Sequence, residues 1–540
     1  MRTALLLLLA LLTAVHAAPA KRLIATGWDS PTPAQFREHV AAFEQWPFDG
    51  TTIKPVRQLA SGKDADALNA FSTQHWEARE FTNTVALLRA AHPRTATDNF
   101  LMLYANPGDV DWFDDSGWKE VLEHWRLLAW TAKQGGLKGI LFDAEPYTPP
   151  HQQFNYSTQP GSDRHSFADT AAKARERGRD IMRSVVKEFP DIHIFSFRLF
   201  CDLLPATANG GDVQRFLPFQ TYGLIPAFLD GWFDVMPESV VITEGDENAY
   251  RYNSEAEFDR SFVDLRTRGL GLIAPEHSAK FRAQYRISHG IYLDAHANPP
   301  TSPWYIDPLG GTRAGRLQAN VSAALRTADE YVWIYGETAR WWPSGNEKYP
   351  LWPGKLAGAD RALFIAKDPV AAARQRSNAS ALSENLVRNA GFDESAENRP
   401  KEWWFWQDQR SHGSPKHDPV TGASSKGAAC ISGAENGCFG QNLQVRPGEQ
   451  YAVSVRTRQI GRGFVGATAR WETAAGKWTA EARDVQLSVR MPDAEGWREC
   501  VGLVQVPPSA EQLVLLLVAR GQVTDQDSAW FDDIRVVPMK

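Results

Sequence analysis

The chain has 540 residues, too many for one hydrophobic core, so two or three domains are expected. Its 58 basic and 64 acidic side chains give a formal net charge of −6. No run of like charge is long enough to track a phosphate backbone, which sets nucleic acid aside as a partner.

Residues 1–20 place Arg2 ahead of an apolar run over 4–15, followed by Ala17, Ala18, Pro19 and Ala20. That is the order of charge, core and cleavage site in a secretory signal peptide, so a secreted protein, extracellular or periplasmic, is expected. The apolar run is too short to span a membrane and no later stretch approaches ~20 apolar residues, so no membrane span is expected.

Over 21–366 short apolar or β-branched runs alternate with helical patterns, as repeated β-α units on a parallel sheet require. Strands are predicted at 23–28, 50–54, 100–105, 139–142, 193–197, 240–243, 290–293 and 331–335. Helices are predicted at 33–43, 80–91, 117–133, 167–189, 254–266 and 314–329. Eight strands joined by helices point to an α/β fold of the closed (β/α)8 TIM-barrel kind. An open doubly wound sheet is the rival, but Gly27-Trp28-Asp29-Ser30-Pro31 stands where its Gly-rich phosphate loop belongs.

In such a barrel the chemistry sits where strands end. The polar and aromatic residues there are Trp28 and Asp29, Lys54 and Arg57, Tyr104 and Asn106, Asp143 and Glu145, Arg198 and Asp202, Glu244 with Asp246 and Glu247, Asp294 and His296, and Tyr335 with Glu337. Carboxylates after four strands would share one mouth, which glycosidic cleavage uses as a protonated acid at the leaving oxygen and an ionised partner. Within Phe142-Asp143-Ala144-Glu145-Pro146-Tyr147 the two acids are spaced two apart, so both can face one side of an extended backbone. The second carboxylate is ranked Glu337, then Glu244, then Asp294.

Trp28, Tyr104, Tyr147, Tyr335, Trp341 and Trp342, with Asn106, are candidate sugar contacts. The chain's 20 tryptophans exceed ordinary core needs, and flat indole faces suit pyranose rings. Arg198 and His296 are read either as partners that hold a catalytic carboxylate's charge state or as counterparts of a buried acid. No catalytic cofactor is expected, because the first strand carries no His-x-His and histidines are sparse at the mouth.

The strand-four Glu145-Pro146 resembles the Asn-Glu-Pro of the large barrel clan of retaining glycosidases, with Ala144 in place of the Asn. Asp143-Ala144-Glu145 also resembles the Asp-x-Glu ending of the family 18 chitinase motif, whose remaining acids are absent here. Either resemblance implies a glycoside hydrolase acting on a poly- or oligosaccharide with Glu145 as general acid. The second adds a substrate-assisted mechanism in which Asp143 orients an N-acetyl group. The clan's strand-seven nucleophile would fall at Asp294. A non-catalytic glycan-binding or scaffold protein is the reading outside enzymes.

Residues 367–383 dissolve into Ala, Arg, Gln, Ser and Asn and read as a linker or closing helix. From 384 to 540, short strands with Gly and Pro turns indicate an all-β sandwich. Its ends, Asn389-Ala390-Gly391-Phe392-Asp393 and Trp530-Phe531-Asp532-Asp533-Ile534, resemble jelly-roll carbohydrate-binding modules of families 4, 9 and 22. That resemblance implies a structural calcium near Asp393 and Asp532. The Trp403-Trp404-Phe405-Trp406 cluster is read as sugar stacking or as sandwich core. Of the cysteines 201, 430, 438 and 500, Cys430 with Cys438 is the simplest bridge, and Cys201 reads as a buried apolar residue.

Overall fold

The computed structural model describes residues 21–210, 213–343, 348–424, 426–479 and 484–539. The expected signal segment, 1–20, lies outside them. The chain divides into two compact units, Met1–Lys367 and Asp368–Lys540.

The first unit is a mixed α/β fold around a curled parallel sheet. Its strands are β1 (Arg22–Gly27), β2 (Gly50–Ile53), β3 (Phe100–Pro107), β4 (Gly139–Asp143), β5 (His193–Ser196), β6 (Val241–Glu244), β7 (Tyr285–Ile287), β8 (Gly290–Tyr292) and β9 (Tyr331–Gly336). They pair in the order β7-β6-β5-β4-β3-β2-β1-β9-β8. All eight predicted runs are strands; the sequence reading missed β7 and the short strand Asn69–Phe71, which pairs with β3 off this path. The two ends of the path are neighbours in the chain, separated by Ser288 and His289. Ser288 N–H donates to Glu244 O of β6 at 2.8 Å, while His289 O accepts from Trp333 of β9 at 3.2 Å. Gly290 is required just there, because a Cβ would meet the Trp333 ring at 2.6 Å.

Alternate strand residues enter two different cores, as a period of two demands. Leu23, Leu101, Leu103, Ile140, Phe142, Val332 and Ile334 pack outward under the helices. Ile24, Phe100, Met102, Leu141, Phe195, Tyr331 and Trp333 fill the inside of the curl.

The helices that follow the strands are α1 (Pro33–Phe43), α2 (Thr82–Arg89), α3 (Asp115–Gln134), α4 (Phe167–Glu188), α5 (Ile225–Val235), α6 (Glu255–Thr267) and α7 (Arg313–Thr327). Helix α4 shows the local logic. Ser166 and Asp169 form a capping box, and Ala174, Ile181, Met182 and Val185 make one buried stripe. Gly178 on that stripe lets α4 lie against α5, where a Cβ would stand 2.1 Å from Phe228 O.

The second unit opens with helix α8 (Pro369–Ala379), in the stretch 367–383 that reads from sequence as linker or closing helix. Ala373 packs with Ala452, Val501 and Val537. Two antiparallel sheets follow, one of five and one of six strands, forming a jelly-roll-like sandwich over Phe392, Phe439, Trp471 and Phe531. The expected Cys430–Cys438 bridge is not formed, and all four cysteines are buried free thiols. The reason is topological. Cys430 lies on Ala428–Ser432 of the six-stranded sheet, whereas Cys438 lies on Asn436–Gln444 of the five-stranded one.

Candidate active site

The ends of β3, β4, β5 and β6 bring one group of polar side chains together. Asn106, on β3, is buried and clamps the turn beyond β4. Its Nδ2 donates to Glu145 O at 3.0 Å and its Oδ1 accepts the Tyr147 N–H at 2.8 Å. Both ends of its amide are therefore occupied by main chain.

Asp143 ends β4 and is 1% exposed. Its Oδ1 accepts the Glu145 N–H at 2.9 Å, and its Oδ2 lies 2.8 Å from the Tyr147 hydroxyl. The same hydroxyl lies 2.5 Å from Glu145 Oε2. Burial, reinforced by the charge of Glu145, pushes the Asp143 carboxyl well above the usual range, against the pull of the Glu145 N–H, Tyr147 and Arg198. Tyr104 supports this group with its ring edge-on to Tyr147 at 5.6 Å.

Arg198, two residues past β5, joins the group to β6. Its Nη2 lies 3.0 Å from Glu145 Oε1 and 2.8 Å from Glu247 Oε2. Its Nη1 reaches Asp202 at 2.8 Å and the Tyr222 hydroxyl at 3.3 Å. Burial opposes the guanidinium charge, but Glu247, Tyr222, Asp202 and Glu145 outweigh it and raise its pKa. Glu247 is also raised, first by burial and then by the charges of Glu145 and Asp143, while Arg198 pulls it down.

Glu247 enters the mouth because the chain turns sharply before it. Asp246 adopts a left-handed φ of 48°. Its buried carboxylate pairs with His289 Nδ1 at 2.8 Å and accepts from the Ser261 hydroxyl at 2.7 Å, contacts that offset the strain. Glu244, ranked above it by sequence, is wholly buried. Its carboxylate accepts from the N–H groups of Leu199, Phe200 and Asp246 and from the Tyr285 hydroxyl at 2.9 Å. Burial pushes it up to about 7 against those donors. It anchors the loop that carries Arg198 and stands behind the mouth.

Glu337 belongs to a separate group beyond β9. The Tyr292 and Tyr335 hydroxyls donate to its carboxylate, which burial and then the charge of Asp294 raise. Asp294 is 1% exposed and accepts the Glu337 N–H at 2.8 Å and the Thr338 hydroxyl, so it fastens that loop. The Tyr335 hydroxyl also accepts from the Trp28 indole, and Trp28 is 61% exposed. Tyr250 stacks on Tyr292 at 5.2 Å and on Tyr335 at 5.7 Å.

Two tryptophans expected at a sugar subsite lie elsewhere. Trp341 and Trp342 are each 1% exposed. Trp342 stacks on Phe43 of α1 at 4.2 Å, and Trp341 meets Phe48 edge-on at 5.0 Å. They are core, because the chain after β9 folds down against α1. His296 is also buried, its Nδ1 has no partner among the described residues, and burial drives its pKa down to about 3. It is therefore neutral and pairs with no acid of the mouth.

In the second unit, Asp532 is buried and its two oxygens accept from Ala423 N–H and Asp533 N–H, each at 2.7 Å. Burial, Asp533 and Asp393 push it up to about 7. Asp393 is exposed, and among the described residues no group of three or more His, Cys, Asp or Glu side chains is disposed to hold a metal ion. These side chains alone do not make the oxygen cage a calcium ion takes.

Glu247, Asp202 and Tyr222 complete the mouth, although none of them was ranked as a catalytic or sugar-binding residue from the sequence. Glu247 and Asp202 carried the strand-end signal, but Glu244 in one loop and Arg198 in the other, each nearer its strand, drew the ranking. Tyr222 follows no strand end and carried no signal.

No protein-family model matches the chain, and no curated protein matches it. Among solved structures, the enzymatically active domain of tailspike protein 4 from bacteriophage CBA120 is 13% identical with a TM-score of 0.24, over 29% of this chain and 22% of its own. This chain thus spans about a fifth of that tailspike domain. The CBM22-1 xylan-binding domain from Paenibacillus barcinonensis Xyn10C is 12% identical with a TM-score of 0.22, over 28% of this chain and 92% of its own. A CBM4 module is 21% identical with a TM-score of 0.20, over 28% and 99%. Each likeness covers under a third of this chain.

Proposed function

We propose that the chain is an exported glycoside hydrolase acting on a poly- or oligosaccharide, with Glu145 and Glu247 as its paired carboxylates. The observation that carries this reading is that both acids contact one nitrogen, Arg198 Nη2, at 3.0 and 2.8 Å. Their contacting oxygens are then no further apart than those two bonds laid end to end. That bound holds for this one pair of oxygens and is compatible with the short carboxyl separation, ~5–5.5 Å, of retaining enzymes.

The proton inventory divides the roles. Glu247 is raised partly by the charges of Glu145 and Asp143. With a proton on the Asp143 and Glu145 side, that repulsion falls away and Arg198 favours ionised Glu247. Glu145 is then the proton donor to the glycosidic oxygen, and Glu247 the nucleophile at the anomeric carbon. Exposed Trp28, oriented by Tyr335, offers a sugar platform across the mouth. On this reading β7 and β8 are two halves of one seventh strand that closes the sheet into a (β/α)8 barrel.

The contact of one Tyr147 hydroxyl with both Asp143 and Glu145 favours a second reading, substrate-assisted cleavage with Asp143 orienting an N-acetyl group. A glycan panel tested with Glu145→Gln and Glu247→Gln separates the two. Paired carboxylates require both acids and no N-acetyl group. Substrate assistance requires N-acetyl sugars and tolerates Glu247→Gln. Binding without turnover by the parent protein would favour a glycan-binding scaffold.

A further inference from the structure

Tyr147 stands between two carboxylates with one proton to give. Its oxygen is 2.8 Å from Asp143 Oδ2 and 2.5 Å from Glu145 Oε2. A phenol donates a single hydrogen bond. If both acids were ionised, one of these contacts would hold two oxygens together with no proton between them, in a setting where Asp143 is shut off from water. A second proton therefore belongs to the group.

The surroundings decide where it rests. Asp143 Oδ1 is occupied by the Glu145 N–H, and no cation touches either Asp143 oxygen among the described residues. Glu145 instead has the Arg198 Nη2 cation at 3.0 Å on its other oxygen, a contact Asp143 lacks. The main chain is held by Asn106, so the three oxygens keep their order.

We infer that Asp143, Tyr147 and Glu145 form a proton-sharing chain, in which Tyr147 carries a proton between a buried store at Asp143 and the half-buried acid Glu145. At rest Asp143 Oδ2–H donates to the Tyr147 oxygen, and Tyr147 O–H donates to Glu145 Oε2. When the Tyr147 proton passes to Glu145, the Asp143 proton passes to Tyr147. One O–H bond breaks and one forms at each step, and the net change is one proton moved from Asp143 to Glu145. The inference rests on the proposed role of Glu145 only for its use in catalysis. Tyr147 is a positioning and proton-carrying residue, and the charged or titratable groups around the chain are Arg198 and Glu247 beside Glu145, Asp202 behind Arg198, and the phenols of Tyr104, Tyr222, Tyr250 and Tyr335.

Infrared difference spectroscopy on the full-length protein without substrate tests this chain independently of any hydrolysis. At about pH 6, where a free carboxyl is ionised, wild type minus Asp143→Asn is expected to show one protonated carboxyl band. Tyr147→Phe is expected to shift the titration midpoint of that band by about one pH unit, because the coupling between the acids is cut. Circular dichroism confirms that each variant is folded, and should Asp143→Asn fail to fold, wild type minus Tyr147→Phe carries the same comparison. Absence of the band, or a Tyr147→Phe titration identical to wild type, overturns the proton-sharing chain. If the chain holds but no glycan is cleaved, the proposed function fails and this inference stands.

Discussion

Glu145 and Glu247 arise from different strands, after β4 and β6, yet both lie against the same Nη2 of Arg198, at 3.0 and 2.8 Å. One guanidinium thus restrains two acids whose mutual repulsion would otherwise spread them. Arg198→Lys replaces that planar fork by a single ammonium and leaves Asp202 or one of the two glutamates unpaired. The variant is expected to stay folded while its pH–rate profile moves up in pH on the Glu247 limb, since the cation that pulls Glu247 down is weakened. A profile identical to that of the parent would contradict the role given to Arg198.

Glu244 separates structural from chemical acids. Four donors converge on its carboxylate, so Glu244→Ala is expected to lower unfolding free energy by at least ~2 kcal/mol, through main-chain N–H groups left without acceptors. Its folded pKa, about 7, lies above the ordinary carboxylate value. A raised pKa means the folded state binds the proton more tightly. The associated stability is present at acidic pH below the unfolded pKa and declines as pH rises through 7, by roughly 3–4 kcal/mol. Denaturant unfolding at several pH values reads this slope, which Glu244→Ala removes.

Trp28 and Trp342 make a matched pair of tests. Trp342→Ala empties a core site stacked on Phe43 and is expected to cost roughly 3–5 kcal/mol of stability. Trp28→Ala removes an exposed ring and is expected to leave the melting temperature within about 2 °C, in keeping with a surface change of under ~0.5 kcal/mol. Its effect should appear in glycan affinity or KM. Equal destabilisation by both would refute the division of these rings into core and platform.

All four thiols are buried and unbridged. A thiol reagent is expected to find no rapidly reacting cysteine in the native protein and four after denaturation without reductant. Only two reactive thiols after denaturation would restore a Cys430–Cys438 bridge or another pairing.

Much of the scaffold was legible because its signal is local and periodic. The apolar runs that became β1 to β6, β8 and β9 carry the pattern a two-sided buried strand must have. The caps and stripes of α1 and α4 likewise fix helices to within a residue or two. β7 was not legible, since Tyr285-Arg286-Ile287 lacks a run of its own and is defined by pairing to β6 across the His289 break. At the site, Asp143, Glu145, Tyr147 and Arg198 followed from strand ends. Glu247 also lay past a strand end but was not ranked, because its entry to the mouth depends on the left-handed turn at Asp246, held by His289 from a distant segment. Trp341 and Trp342 misled for a similar reason, as their position after β9 says nothing of the loop folding back onto α1.

The most direct test of the account is hydrolysis of a glycan panel by the parent protein and by Glu145→Gln and Glu247→Gln, with the anomer of the first-formed product followed by NMR. Cleavage with retained configuration and a fall of about 10²–10⁴-fold in kcat for each variant is expected. Undiminished cleavage by either variant, or inverted product, would contradict it.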